Sequence, residues 1–316
     1  MHKIKQIPED FIVKEIISIK PENNGDYSYW LLKKKDYDTI KAVHTIAEKL
    51  RIKPKDIGFA GNKDKRAITE QLISIKDVSK EMIDQLKLKD IELSFVGYGN
   101  KPISLGDNKG NSFVIIVRNL NKKNIKLSKK QIPNYFGQQR FSKQNIERGR
   151  AIIEGDFKRV AEIDRLEVKN NDYVGAIRKI PLKISKLYVH AYQSSLFNET
   201  IDKYIKAKPK GNIKIPIIGF GTELESYPKE IQKITKEIMK KEKITFRDFI
   251  IRSLPDISSE GSERNLFIEV KGLKMENIEQ DELNKGKYKA AISFSLPKGC
   301  YATVVVEHIF NLNRNI

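Results

Sequence analysis

Strand-type patterning lies at both ends of this 316-residue chain, and helical patterning fills the stretch between them. Pro8-Glu9-Asp10-Phe11-Ile12-Val13-Lys14-Glu15 alternates as a strand does. Tyr27 to Leu32 reads as its hairpin partner across Asn23-Asn24-Gly25-Asp26. From Thr39, the apolar positions Ile40, Val43, Ile46, Ala47 and Leu50 recur at helical spacing, with Asp38 or Thr39 as the cap. A second helix is expected from Ser79 to Leu88. Ile91 to Val96 and the continuous Phe113 to Val117 read as strands, the latter buried on both faces. From Lys143 to about Arg264 the pattern is mostly helical, over Ile146 to Ile153, Tyr192 to Ile205 and Pro228 to Met239. Strand character then returns: Ile292, Phe294 and Leu296 alternate with Ser293 and Ser295, and Ala302 to Val306 is β-branched. Strands, then helices, then strands predict a mixed α+β domain interrupted by an insertion.

Charge narrows the partners. Lys plus Arg number 60 against 41 Asp plus Glu, a net charge of +19. A genome-wide taste for Lys, Ile and Asn would enrich Glu as well, so the positive surplus needs its own cause. A polyanion is the usual one, since phosphate contacts dominate such affinities. Nucleic acid is favoured over an anionic membrane, because no basic amphipathic helix with bulky aromatics stands out. No apolar run approaches the roughly 20 residues of a membrane helix, and the N-terminus lacks a signal-peptide core, which predicts a cytoplasmic protein. One cysteine, Cys300, excludes an internal disulfide, and His2, His44, His190 and His308 share no ligand spacing. Neither a metal nor another cofactor is expected, and no protein partner is implied.

Three stretches carry candidate chemistry. Gly58-Phe59-Ala60-Gly61-Asn62-Lys63-Asp64-Lys65-Arg66-Ala67-Ile68-Thr69 is punctuated as a loop and holds one carboxylate among three cations. Opposite charges favour the ionised form of such a carboxylate; on its own the string reads as a surface turn. Leu120 to Lys130 carries Lys122, Lys123, Lys126, Lys129 and Lys130, a basic run at a domain boundary. Pro133-Asn134-Tyr135-Phe136-Gly137-Gln138-Gln139-Arg140-Phe141 packs three aromatics, an arginine and several amides into nine residues.

Taken in order, Pro8-Glu9-Asp10-Phe11-Ile12-Val13, the Phe59 to Thr69 string, Gly110-Asn111-Ser112-Phe113 with Arg118, and the Pro133 to Phe141 string resemble the motifs of the TruD family of tRNA pseudouridine synthases. Gly299-Cys300-Tyr301-Ala302-Thr303-Val304 is similar to that family's C-terminal motif. The resemblance implies a discontinuous catalytic domain, a largely antiparallel sheet from residues 1–141 and 269–316. A mostly helical α/β insertion, residues 142–268, would face it across a basic cleft. It also implies isomerisation of uridine to pseudouridine in tRNA without a cofactor, at uridine-13 of the D arm.

The same resemblance makes Asp64 the nucleophile, attacking either C1′ or the uracil ring. Lys63, Lys65 and Arg66 would hold it ionised or touch phosphate. The uracil must leave its stack to be reached. Phe113 would be its stacking ring, and Asn111, one alternate position away on the same strand face, would read its imide edge. Phe11 would be a pocket wall, and Lys5 matches a family lysine near the site. With phenylalanine at 113, no tyrosyl base is available there. The chain departs from the pattern at Val306, where the family usually has arginine before the glutamate, and at Phe141-Ser142-Lys143, which lacks a glycine. Two other classes compete with an enzyme: a non-catalytic RNA-binding or RNA-chaperone protein derived from this family, and a basic structural protein of a ribonucleoprotein particle. Retention of Asp64 argues against the first, and the ordered motifs argue against the second.

Overall fold

β-Strands fill the first third of the chain and return near its end in a computed structural model that describes residues 2–121, 131–141, 144–207, 211–276 and 278–310. The lysines from 122 to 130, Ser142, Lys143 and residues 208–210 of the basic loop lie outside the described residues. In chain order come β1 (Phe11–Ile16), β2 (Tyr27–Lys35), α1 (Thr39–Leu50), β3 (Ile57–Phe59), β4 (Ile68–Lys76), α2 (Lys80–Asp84), β5 (Ile91–Gly99) and β6 (Gly110–Leu120). β7 (Ile132–Pro133), α3 (Asn145–Glu154), α4 (Phe157–Asp164), α5 (Tyr173–Arg178), α6 (Leu182–Lys206), β8 (Lys214–Ile217), α7 (Lys229–Glu242), β9 (Ser262–Asn265) and β10 (Phe267–Ile268) follow. The chain closes with β11 (Lys271–Met275), β12 (Glu279–Gln280), β13 (Tyr288–Pro297) and α8 (Ala302–Ile309).

These elements divide into two units. One comprises Met1–Lys129, Glu269–Ala302 and Val306–Ile316; the other comprises Lys130–Ile268 and Thr303–Val305. The division after Lys129 lies upstream of the expected 141/142 boundary. Residues 131–141 are bonded within the second unit: β7 pairs with β10, and the Phe136 amide donates to Asn198 Oδ1 on α6 at 2.9 Å. Such side-chain anchoring leaves no periodic mark in the sequence.

The first unit is built on one mixed, largely antiparallel sheet in the order β11-β13-β6-β1-β4-β2-β5, with β12 beside β13 and β3 beside β4. Within it, β1 and β4 run parallel. The expected β1–β2 hairpin does not form, because β4 lies between them. Alternation had identified both strands, but it specifies which face is buried, not which neighbour is paired. β6 is flanked by β1 and β13, so Phe113 faces Val13 on one side and Phe294 on the other. It is also not buried on both faces as expected: Ile115 and Val117 are fully buried, whereas Val114 is 37% exposed.

α1 begins as its sequence dictates, with Asp38 Oδ1 accepting from the amides of Ile40 and Lys41 at 2.9 and 3.1 Å. Its apolar stripe, Val43, Ile46 and Leu50, packs with Trp30, Leu32, Ile73 and Ile75 of the sheet. The predicted second helix is shorter, Lys80–Asp84, capped by Ser79.

The second unit has its core among α3 to α7, where Val189, Tyr192 and Leu196 of the 25-residue α6 meet Ile152, Val160 and Ile238. Ala302 to Val306 forms the start of α8 rather than a strand. Ala302, Val304, Val305, Val306 and Ile309 are all buried, and a short run apolar on every side has no period that distinguishes strand from helix.

Ile115 is fully buried between Phe11 of β1 and Ile292 of β13. Ile115→Ala is expected to destabilise the protein by about 2–5 kcal/mol, read as a lower denaturant midpoint at unchanged slope. Val114→Thr, one position along on the exposed face, should stay within about 0.5 kcal/mol of wild type.

Candidate active site

The loop between β3 and β4, residues 60–67, carries Asp64, and its shape is set from beneath. β3 reaches the loop through Gly58, where a Cβ would lie 2.3 Å from the Ile103 carbonyl oxygen. Three polar bonds then fix the chain before Asp64. The Lys63 amide donates to Thr39 Oγ1 (3.0 Å), the Thr39 hydroxyl donates to Gln71 Oε1 (3.0 Å), and Gln71 Nε2 donates to the Gly61 carbonyl (3.1 Å). Thr39 and Gln71 are both fully buried, so each bond substitutes for water that cannot enter.

The three cations of the loop do not surround Asp64 as the sequence suggested. The Lys63 ammonium turns inward to Glu15, with the side chains 6% and 1% exposed. Glu15 also accepts from the Leu72 amide at 3.3 Å. Arg66 Nη2 donates to the Gln6 carbonyl at 2.7 Å, tying the loop to the N-terminal segment, and Lys65 is exposed. The cation that meets Asp64 is Lys5, whose Nζ lies 2.7 Å from Oδ2. The Asp64 side chain keeps 43% of its surface in solvent, so the pair is accessible from outside. Residues 59 apart in sequence therefore meet, and no local pattern announces it.

Lys5 is held by the turn around it. The Gln6 and Ile7 amides donate to Asp10 Oδ2 at 3.0 and 3.1 Å. Asp10 in turn accepts from Arg118 Nε at 2.7 Å on its other oxygen. Arg118, 2% exposed, also donates to Asp281 Oδ1 at 2.8 Å and pairs with Glu282 at 3.0 Å. Hydrogen bonds from Arg118, and then from Lys289, hold the Glu282 carboxyl down at about 2. Arg118 thus joins β6 to the N-terminal turn and to the returning segment before β13.

The Lys5 ammonium lies 4.0 Å from the centre of the Phe11 ring. Phe11 meets Phe113 edge to face at 6.0 Å, and Phe113 meets Phe294 at 5.5 Å, so three strands supply an aromatic row. Phe113 is 7% exposed. Asn111 is on the same face of β6, opposite Glu15 and Leu296. Its Oδ1 is buried without a hydrogen-bond partner among the described residues, an unmet acceptor of the kind that a ligand donor would satisfy. Among the predicted site residues, the structure brings together Lys5, Phe11, Asp64 and Phe113. Lys63 and Arg66 support the loop without contacting the carboxylate through their recorded bonds.

Glu15, Lys34, Thr39, Gln71 and Phe294 were missed as parts of this site. The sequence does hold a signal for two of them. Phe11, Val13 and Glu15 alternate inward on β1, and Trp30, Leu32 and Lys34 alternate inward on β2, so a charge occupies a core-facing position in each strand. Among the described residues no group of three or more His, Cys, Asp or Glu side chains could hold a metal ion, and no helix is long and apolar enough to cross a membrane.

Known proteins match this arrangement along its length. The sequence profile of the family described as tRNA pseudouridine synthase D (TruD) matches residues 2–164, 161–210 and 205–309. A probable tRNA pseudouridine synthase D of Methanosarcina acetivorans is 30% identical, over 98% of this chain and 93% of the relative. A protein of the same description from Methanosarcina mazei is 31% identical over the same shares. A crystal structure from Methanosarcina mazei, described under the name tRNA pseudouridine synthase D (TruD), superimposes with a TM-score of 0.79 at 29% identity. It covers 98% of this chain and 93% of that one.

The buried Lys63–Glu15 pair gives a test of what holds the loop. Lys63→Met or Glu15→Gln alone should cost about 3–5 kcal/mol in urea unfolding, because each leaves a buried charge without its counter-charge. The double variant Lys63→Met/Glu15→Leu should recover most of that loss.

Proposed function

Because this chain belongs to the tRNA pseudouridine synthase D family, we propose that it isomerises uridine to pseudouridine in tRNA, at uridine-13 of the D arm, with Asp64 as the nucleophile. The observation that carries this reading is one cluster. A half-exposed carboxylate is paired with Lys5, and Lys5 lies over the Phe11–Phe113 row. On the strand that carries Phe113, Asn111 offers an unmet acceptor.

The reaction breaks the N1–C1′ glycosidic bond, turns the uracil, joins C5 to C1′ and releases the proton from C5, while N1 takes up a proton, so that the product is an isomer of the substrate. Neither oxidation nor transfer of an outside group occurs. A flipped uracil stacked beside Phe113 would donate its N3–H to Asn111 Oδ1, which fits the imide edge. Phe11 closes the apolar side of the pocket. Asp64 attacks C1′ or the ring, with Lys5 balancing its charge before the attack and again once the covalent bond is broken and the carboxylate is freed. Lys65 and Arg66, both on the exposed side of the loop, are suited to backbone phosphates, and the net charge of +19 suits a tRNA substrate in the cytoplasm. The catalytic machinery falls to residues of the sheet unit, and the helical unit is left to contact RNA.

Incubation with tRNA transcript labelled at uridine C5 measures the reaction by release of the label, and mapping of the product locates it. Wild type should form pseudouridine at position 13. Asp64→Asn should reduce the product to background while still binding tRNA, and Asn111→Ala should lower the rate by about 10- to 100-fold, the worth of a lost buried hydrogen bond. tRNA binding should weaken steeply as salt rises. No product on any cellular tRNA would overturn the reading in favour of a non-catalytic RNA-binding protein, and full activity in Asp64→Asn would overturn the assignment of Asp64 as the nucleophile.

A further inference from the structure

Lys34 is buried on β2, where it pairs with Thr69 of β4 on one side and Ile91 of β5 on the other. Its side chain is directed at the loop from below. The ammonium donates to the Tyr37 carbonyl at 2.5 Å and to the Asp64 carbonyl at 3.2 Å. Among the described residues no carboxylate forms an ion pair with it, so a full charge is buried against two backbone oxygens. That is a costly arrangement for packing alone, since methionine fills the same volume without desolvation. What the ammonium provides, and methionine cannot, is a charged donor to the peptide that carries the candidate nucleophile.

We propose that Lys34 is a positioning residue for Asp64, holding the Asp64 peptide by its carbonyl so that the carboxylate is fixed toward the bound uridine. The inference rests on the reading of Asp64 as nucleophile. It accounts for a gap in the support of the loop. Gln71 anchors Gly61, Thr39 anchors Lys63, and the Ala67 amide closes onto the Lys65 carbonyl at 2.9 Å; Lys34 anchors position 64 itself.

The geometry carries a pH signature. Burial lowers the Lys34 ammonium from 10.5 to about 8; Asp38 and Asp64 oppose that shift, and Lys63 adds to it. The flanking Thr69 and Ile91 are uncharged, and the Tyr37 hydroxyl is engaged with Thr45 Oγ1 at 3.0 Å. As pH rises through about 8, the amine loses its charge, and its bond to the Asp64 carbonyl loses charge assistance. Stability moves the other way. The folded-state value lies below the unfolded one, so the folded protein binds fewer protons between about 8 and 10.5, and the contribution of Lys34 to stability rises with pH in that window. A fall in rate without a fall in stability separates positioning from a purely structural role.

The test compares wild type with Lys34→Met in single-turnover pseudouridine formation at saturating tRNA, from about pH 6.5 to 9.5, alongside filter binding of tRNA and amide exchange of residues 60–67. Lys34→Met should lower the rate by about 10- to 100-fold with tRNA affinity within about twofold, and should lack the decline that wild type shows above pH 8. Exchange in the loop should rise at least about tenfold. A variant rate within about threefold of wild type, the same decline in the variant, or unchanged loop exchange overturns the proposal. If Lys34→Met does not fold, a wild-type rate that stays flat through about pH 9.5 overturns it instead. If wild type forms no pseudouridine at all, the failure belongs to the enzymatic reading, and loop exchange still decides whether Lys34 holds Asp64.

Discussion

A carboxylate that must remain open to solvent can be fixed only through the chain that carries it. Here the fixing is done by buried polar bonds under one loop. Thr39, at the start of a helix, and Gln71, on a strand, are joined to each other and to two loop peptides. Lys63 supplies the third leg by pairing with Glu15 on β1. Each of these groups would be a liability in an apolar core if its partner were absent. Together they bind the loop to three elements of the sheet unit, so Asp64 is half exposed without being loose. Lys5 then arrives from the N-terminal turn, held through Asp10 and Arg118, to meet it.

Much of the architecture was legible because periodicity reports burial directly. The α1 stripe, its Asp38 cap, the alternation of Ile292, Phe294 and Leu296, and the helical middle were all readable. What failed was pairing. β1 and β2 were expected to be neighbours, and β4 separates them, since alternation within a strand carries no address for its partner. Ala302 to Val306 failed for a different reason. Its residues favour strands by shape, but an environment that buries four of the five, all but Thr303, removes the solvent-facing period that a prediction needs.

The site divides along the same line. The motifs named Asp64, Phe11, Asn111, Phe113 and Lys5, and four of those five share contacts in the structure. The roles of the other loop cations were not legible, because Lys63, Lys65 and Arg66 are chemically similar and differ in which way the backbone turns them. Lys63 is buried in an ion pair while its near neighbours remain exposed. Glu15 and Lys34 could have been found by asking why an alternating strand places a charge on its apolar face. That question depends only on period two, and it points to buried polar work wherever it is asked.

The position of β13 has a consequence for how the molecule comes into being. Phe113 is translated early, and its partner Phe294 emerges about 180 residues later, after the stretch Lys130–Ile268 of the helical unit. Until then β6 lacks one of its two neighbours and presents a row of unpaired amides and carbonyls beside Ile115 and Val117. The aromatic row is therefore the last part of the sheet to close, and a chain cut between β6 and β13 leaves a sticky edge beside Phe113. The same long-range pairing that brings distant residues to one site makes its assembly wait for the strand that is made last.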